Sequence, residues 1–134
     1  MKIKVAILGS TGSIGKNTLD VIKKNKNSFE VVFLSANTNY KELIKQAKEF
    51  NVKNVQIYDG SFYDVVKTSL KKYRTKVYSE NESVKKIIRC KIDYTMSSIV
   101  GIAGLQPTID MIKISKVIAL ANKALDAGYK FIII

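Results

Sequence analysis

The seven residues Gly9-Ser10-Thr11-Gly12-Ser13-Ile14-Gly15 constrain this chain more than any other stretch. They follow an apolar run, Ile3 to Leu8, and precede a segment whose apolar residues recur at helical spacing. Val5, Ile7 and Leu8 are the residue types that fill a parallel strand covered on both faces. Past the turn, Ile14, Thr18, Val21 and Ile22 fall on one helical stripe, the expected buried face. Strand, Gly-rich turn and helix in that order open a dinucleotide-binding βαβ unit. Gly9 lets the chain leave the strand in a conformation that a Cβ obstructs. Gly12 lets the backbone approach a pyrophosphate, and Gly15 lets the helix sit close to the strand. The helix N-terminus offers free N–H groups and a positive dipole end to phosphates, and Thr11 and Ser13 add hydroxyls. The spacing is GxxGxxG rather than the commoner GxGxxG, and a tight turn with no ligand is the competing reading. A P-loop is excluded, because Asn17 replaces its Ser/Thr and Ser10 its first Gly.

The rest of the chain repeats the alternation. Val31 to Ala36 reads as a second strand, Asn54 to Tyr58 as a third, Lys76 to Tyr78 as a short fourth and Tyr94 to Ser97 as a fifth. Val117 to Ala121 and Phe131 to Ile134 are the last two. Between them the spacing predicts helices over about Tyr40–Phe50 (core face Leu43, Ile44, Ala47, Phe50), Phe62–Tyr73 (Val65, Val66, Leu70) and Glu82–Cys90 (Val84, Ile87, Ile88). A further helix opens near Pro107, with Leu105, Ile109 and Ile112 as its expected buried stripe. Such alternation implies an α/β fold: a Rossmann-like, doubly wound, mostly parallel sheet with helices on both faces. A chain of 134 residues is one ordinary domain, here 1–134, and 46% hydrophobic with 25% charged residues is a globular balance.

Composition narrows the function classes. No apolar run approaches the ~20 residues of a membrane span, and Met1 leads directly into the first strand, so no signal peptide is expected. Cys90 is the single cysteine and there is no histidine. That excludes an internal disulfide framework and suits a cytoplasmic protein. The net charge of +12 permits nucleic-acid binding. But the lysines are dispersed at predicted helix ends, without the aromatic-studded basic strand of a stacking platform. A solvated surface, or attraction for an anionic ligand, accounts for them better.

Three places at the C-terminal ends of strands, where ligands bind in such sheets, carry candidate site residues. The tip of the second strand, Ser35-Ala36-Asn37-Thr38-Asn39, lacks the carboxylate that would hold a ribose 2′-hydroxyl. Its short polar side chains, with Lys41 nearby, leave room for a 2′-phosphate and favour NADP over NAD. Asn37 and Asn39 also read as turn and helix-cap residues, and both readings can hold together. The glycines of Ser97 to Thr108 can cover a cofactor or simply turn the chain. Asn122-Lys123 could bind a nicotinamide ribose and an anionic substrate, or be a helix cap and a surface lysine.

Taken together, ILGSTGSIGKNTLDVI at 7–22, SSIVGIAGLQPT at 97–108 and IALANK at 118–123 resemble the 1-deoxy-D-xylulose 5-phosphate reductoisomerase family. Ala36 and Asn39 match the family's second-strand turn, and the resemblance runs in order along the whole chain. It implies an NADPH- and Mg²⁺- or Mn²⁺-dependent enzyme of the methylerythritol phosphate route to isoprenoids. Such an enzyme rearranges the sugar phosphate 1-deoxy-D-xylulose 5-phosphate and reduces the aldehyde intermediate to 2-C-methyl-D-erythritol 4-phosphate. By position, Thr11, Gly12, Ser13 and Ile14 correspond to its pyrophosphate loop. Asn37, Thr38 and Asn39 correspond to its adenosine-side turn, with Asn37 in place of a usual Gly. Asn122 corresponds to a cofactor contact and Lys123 to a substrate contact.

The family is a homodimer whose catalytic and C-terminal helical domains follow this one, and its Asp-Ser-Glu metal motif lies just past a strand like Phe131–Ile134. The resemblance therefore implies no catalytic residue or metal ligand within 1–134, and a chain that does not turn over substrate by itself. After Lys123 the match departs: Ala124 replaces a cofactor-contacting Glu, and the segment before Gly128 is shortened. A non-catalytic truncated remnant, another NADP-dependent oxidoreductase and a basic nucleic-acid-binding module are the rival readings.

Overall fold

The computed structural model describes residues 1–99, 104–120 and 132–133. Its strands are β1 (Ile3–Leu8), β2 (Phe29–Ala36), β3 (Asn54–Ile57), β4 (Lys76–Tyr78), β5 (Ile92–Ser97), β6 (Ser115–Leu120) and β7 (Ile132–Ile133). Its helices are α1 (Ser13–Lys23), α2 (Tyr40–Phe50), α3 (Tyr63–Ser69), α4 (Val84–Ile87) and α5 (Leu105–Ile112), with short 3-10 turns at Lys26–Ser28 and Gly60–Phe62. The strands form one sheet in the order β4-β3-β2-β1-β5-β6-β7. Every pairing from β4 to β6 is parallel, and β7 adds antiparallel to β6. This is the doubly wound α/β architecture that the alternation of elements requires.

Two apolar layers sandwich the sheet. Val5 and Ile7 point into one, with Leu19 and Ile22 of α1, Leu43 and Ala47 of α2 and Val66 of α3. Ala6 and Leu8 point into the other, with Val84 and Ile87 of α4, Met111 of α5 and Ile118 of β6. That alternation is the period of two of an extended strand. It breaks once in β2, where Val32 and Phe33 both belong to the second layer. The pairing with β1 shifts at this point, from Val5↔Val31 to Ala6↔Phe33. The extra residue of this β-bulge returns Leu34 and Ala36 to the first layer.

Several sequence expectations are corrected here. In α1 the buried residues are Gly15, Leu19 and Ile22, while Ile14 is 41% and Val21 58% exposed. The helix is rotated because Gly15 must face the backbone of Ser10: a Cβ on it would lie 2.5 Å from the Ser10 carbonyl oxygen. In α5 the expected stripe faces outward: Leu105, Ile109 and Ile112 are 59%, 39% and 37% exposed. Polar contacts set this rotation. Thr108 Oγ1 meets Ser97 Oγ at 2.7 Å, and the buried Asp110 meets Lys85 Nζ at 3.3 Å, so Met111 turns inward with them. Hydrophobic period alone does not register such contacts. In α3, Val65 is exposed while Val66 and Leu70 are buried, and the helix stops at Ser69 rather than Tyr73. The helix expected over Glu82–Cys90 is only Val84–Ile87, because Ile88 is already extended toward β5.

Candidate functional site

Neighbouring strands run from β1 to β2 in one direction and from β1 to β5 in the other, so the strand order reverses at β1. The crevice beyond the C-terminal ends of strands at such a reversal is where open α/β sheets bind ligands. A cleft of about 480 Å³ lies there, lined by Gly9, Thr11 and Gly12 after β1, Ser35 to Asn37 at the end of β2, and Tyr58 after β3. Glu80 after β4, and Ser98 and Ile99 after β5, complete it.

The first wall is the glycine loop, and its shape is fixed from behind. Gly9 has φ +76, a backbone conformation that L side chains rarely adopt, and a Cβ there would press on Ser98 Oγ at 3.0 Å. Ser98 Oγ lies within hydrogen-bond distance of the carbonyls of Leu8 (2.9 Å) and Gly9 (2.7 Å), tying β5 to the loop. Gly9 N–H donates to Ser35 Oγ at 3.1 Å and Ser10 N–H to the Ser35 carbonyl at 2.8 Å, tying β2 to it. Ser10 is fully buried; its hydroxyl donates to Gln46 Oε1 at 2.7 Å, and Gln46 Nε2 donates back to the Ser10 carbonyl at 3.0 Å. Each buried polar group in this pair satisfies the other, as a buried network must.

Gly12 differs from the glycines on either side of it in the motif. It is the N-cap of α1, with ordinary extended torsions, and a Cβ on it would meet nothing within 4 Å among the described residues. No described residue fills the space in front of it. No side chain caps α1 and its first turn carries no acid. The unpaired N–H groups at the start of a helix, with the positive end of its dipole, form an anion site. Thr11 lines the cleft beside it, and Ser13 and Ile14 form the exposed first residues of the helix.

At the second wall Asn37 lines the cleft, and its carbonyl accepts from Asp59 N–H at 2.9 Å. Thr38 is exposed, and its carbonyl accepts from Tyr40 N–H. Asn39 is the N-cap of α2, its Oδ1 accepting from Glu42 N–H at 3.3 Å. Among the described residues nothing accepts from its amide nitrogen, so cap and contact are compatible. Burial, with a smaller push from Asp110, raises the Tyr58 hydroxyl to a pKa of about 12, which keeps that ring neutral. Asn122 and Lys123 lie outside the described residues, as do residues 100–103 of the second glycine loop. The structure thus brings Thr11, Gly12 and Asn37 to one cleft, while Ser13, Ile14, Thr38 and Asn39 follow them in sequence and are not among the residues that line it. Gln46, Tyr58 and Glu80 carry no site reading from sequence, and Ser10 and Ser35 enter it only as members of the glycine loop and of the β2 tip. For Gln46 a signal existed: an amide beside the apolar Leu43 and Ala47 of one helical face.

Among the described residues no three His, Cys, Asp or Glu side chains gather as a metal site, and no helix is long and apolar enough to cross a membrane.

A family-level sequence model described as 1-deoxy-D-xylulose 5-phosphate reductoisomerase matches residues 5–125. A protein of that name from Pelagibacter ubique is 48% identical over 122 residues, which are 90% of this chain and 31% of that protein. The solved 1-deoxy-D-xylulose 5-phosphate reductoisomerase from Zymomonas mobilis, in complex with NADPH, superposes with a TM-score of 0.85 at 37% identity, over 92% of this chain and 33% of that one. A second solved reductoisomerase, in complex with NADPH, fosmidomycin and magnesium, gives 0.81 at 30% identity, over 90% of this chain and 30% of that one. The chain thus spans about a third of the length of the relatives it matches. With this fold, this glycine loop and these matches, the chain belongs to the 1-deoxy-D-xylulose 5-phosphate reductoisomerase family.

Proposed function

We propose that residues 1–134 form the NADPH-binding domain of a 1-deoxy-D-xylulose 5-phosphate reductoisomerase, which makes 2-C-methyl-D-erythritol 4-phosphate for isoprenoid synthesis in the cytoplasm. The observation that carries this is Gly12: an open cradle at the uncapped N-terminus of α1, on the strand-order reversal. A dinucleotide phosphate fits such a donor set. The backbone N–H groups of Ser13 and Ile14 and the hydroxyls of Thr11 and Ser13 hold its pyrophosphate. Asn37, Thr38 and the amide nitrogen of Asn39 hold the adenosine ribose and its 2′-phosphate. No carboxylate stands among Ser35 to Asn39 to repel that phosphate, and the chain's net charge of +12 favours a polyanionic ligand.

When bound, the cofactor supplies a hydride. The role of this chain is to orient the dinucleotide along the strand ends and keep its phosphates at α1. Asn122 is assigned to the nicotinamide side of the cofactor and Lys123 to the anionic sugar phosphate, on the family resemblance. The divalent metal step, with Mg²⁺ or Mn²⁺, and the homodimer belong to the whole family enzyme. This chain spans about a third of the length of the relatives it matches, and the turnover proposed here is that of the whole enzyme.

A fluorescence titration of the purified chain with NADPH, with NADH as comparator, tests this. Saturable binding that prefers NADPH is the expected result. Equal binding of the two would remove the 2′-phosphate role of Asn37–Asn39, and no binding by the folded chain would remove the proposal.

A further inference from the structure

The cleft contains one group that ill suits a polyanion: the carboxylate of Glu80. Beside a phosphate it would oppose binding by simple Coulomb repulsion. Its place in the fold removes the conflict. The glycine loop leaves β1 and Glu80 follows β4, with β2 and β3 between them in the sheet. At ~4.8 Å per strand that separation is roughly 14 Å. The wall between is built strand by strand: the glycine loop at β1, Ser35 to Asn37 at β2, Tyr58 at β3, Glu80 at β4. An adenine dinucleotide presents its parts in the same sequence, pyrophosphate, then ribose, then purine. With its pyrophosphate at α1 and its ribose at β2, the purine comes to lie between Tyr58 and Glu80.

We infer that Glu80 is a specificity-determining residue for the cofactor's base: its carboxylate accepts a hydrogen bond from the 6-amino group of adenine, while Tyr58 supplies a wall for the ring. This rests on the NADPH reading above. The acceptor is available, since among the described residues Glu80 has no ion-pair partner, although four other ion pairs form there. Its loop is also held in place. Gln56, fully buried in β3, donates through Nε2 to the carbonyls of Ser79 at 2.8 Å and Glu82 at 2.7 Å, on either side of Glu80. Gln56 is therefore a positioning residue, fixing the acceptor relative to the strand that carries Tyr58.

Hypoxanthine replaces the 6-amino donor with an oxo acceptor, so the test compares NADPH with its hypoxanthine analogue. Both are titrated by fluorescence against the wild-type chain and Glu80→Gln, a change at an exposed position that leaves the core intact. The wild type should prefer NADPH by about tenfold, the scale of a hydrogen bond to a charged acceptor. In Glu80→Gln that preference should narrow to about twofold or less, because an amide can serve either base. An unchanged preference overturns the inference. Tighter NADPH binding by Glu80→Gln also overturns it, because the carboxylate would then lie against a phosphate. Failure of the wild type to bind either dinucleotide removes the NADPH reading itself, a different outcome from altered base preference.

Discussion

Gly12 and Gly15 stand in one motif yet perform separable tasks, and replacing each by alanine should separate folding from binding. A Cβ on Gly15 would lie 2.5 Å from the Ser10 carbonyl oxygen and 2.6 Å from its carbonyl carbon and Cα. These are backbone atoms of a loop pinned by Ser35 and Gln46, so they cannot rotate away. Overpacking of a close contact costs about 1–3 kcal/mol, and this one belongs at the upper end because the backbone must move. Alanine returns about 1 kcal/mol of helix propensity over glycine. The net loss is about 2 kcal/mol, or a fall in Tm of roughly 6–10 °C for a chain of this size.

A Cβ on Gly12 meets nothing within 4 Å among the described residues. Gly12→Ala sacrifices only the modest N-cap advantage of glycine, under about 1 kcal/mol, but places a methyl group in the cradle proposed for the pyrophosphate. Thermal melts with NADPH titrations on both variants check this. The expected pattern is Gly15→Ala unstable and Gly12→Ala stable but unable to bind NADPH. A Gly15→Ala chain with raised Tm would refute the packing of α1 on the loop. A Gly12→Ala chain that binds as well as wild type would refute the assigned cradle.

Two further expectations concern polar contacts. Ser10→Ala removes the hydroxyl at 2.7 Å from Gln46 Oε1 and leaves a buried acceptor unpaired, so chemical denaturation should show a loss of about 1–3 kcal/mol; Gln46→Leu added to it should recover part of that loss. Asp93 accepts from Lys4 N–H at 2.8 Å and pairs with Lys116 at 3.2 Å, which hold its carboxyl below the usual range. The folded state therefore takes up this proton less readily than the unfolded chain, so the stabilisation is present at neutral pH and is lost as pH falls below about 4. Asp93→Asn should flatten the acid limb of stability against pH, and an unchanged limb would show that the contact contributes nothing.

The sequence was legible wherever one physical demand dominated. β1, α2 and β4 fall within the spans expected of them, because each apolar run is bounded by an unambiguous turn: Asn39 caps α2, and Asn51, at φ 51, ends it. The glycine loop was legible because Gly9 and Gly15 answer to sterics that no other residue meets. Helix rotation was less legible. In α1 and α5 the outward faces carry Val21, Leu105, Ile109 and Ile112, so hydrophobicity alone points the wrong way. Gly15 packing on Ser10 decided the first case, and the Ser97–Thr108 and Asp110–Lys85 contacts the second. The support of the site was hidden for the same reason. Sequence marks Ser10 only as a departure from the P-loop pattern and Ser35 only as a short polar residue of the strand tip, and the fold shows that Ser35 of β2 and Gln46 of α2 pin the loop, the latter through Ser10.

The central claim is that NADPH lies with its pyrophosphate at the start of α1 and its adenosine ribose at the end of β2. Backbone amide NMR of the isotopically labelled chain during an NADPH titration tests it most directly. Saturable shifts are expected at the amides of Thr11 to Gly15 and of Asn37 to Asn39, larger with NADPH than with NADH at the second group. Shifts that cluster away from these two segments, or a folded chain whose amides do not move, would contradict it.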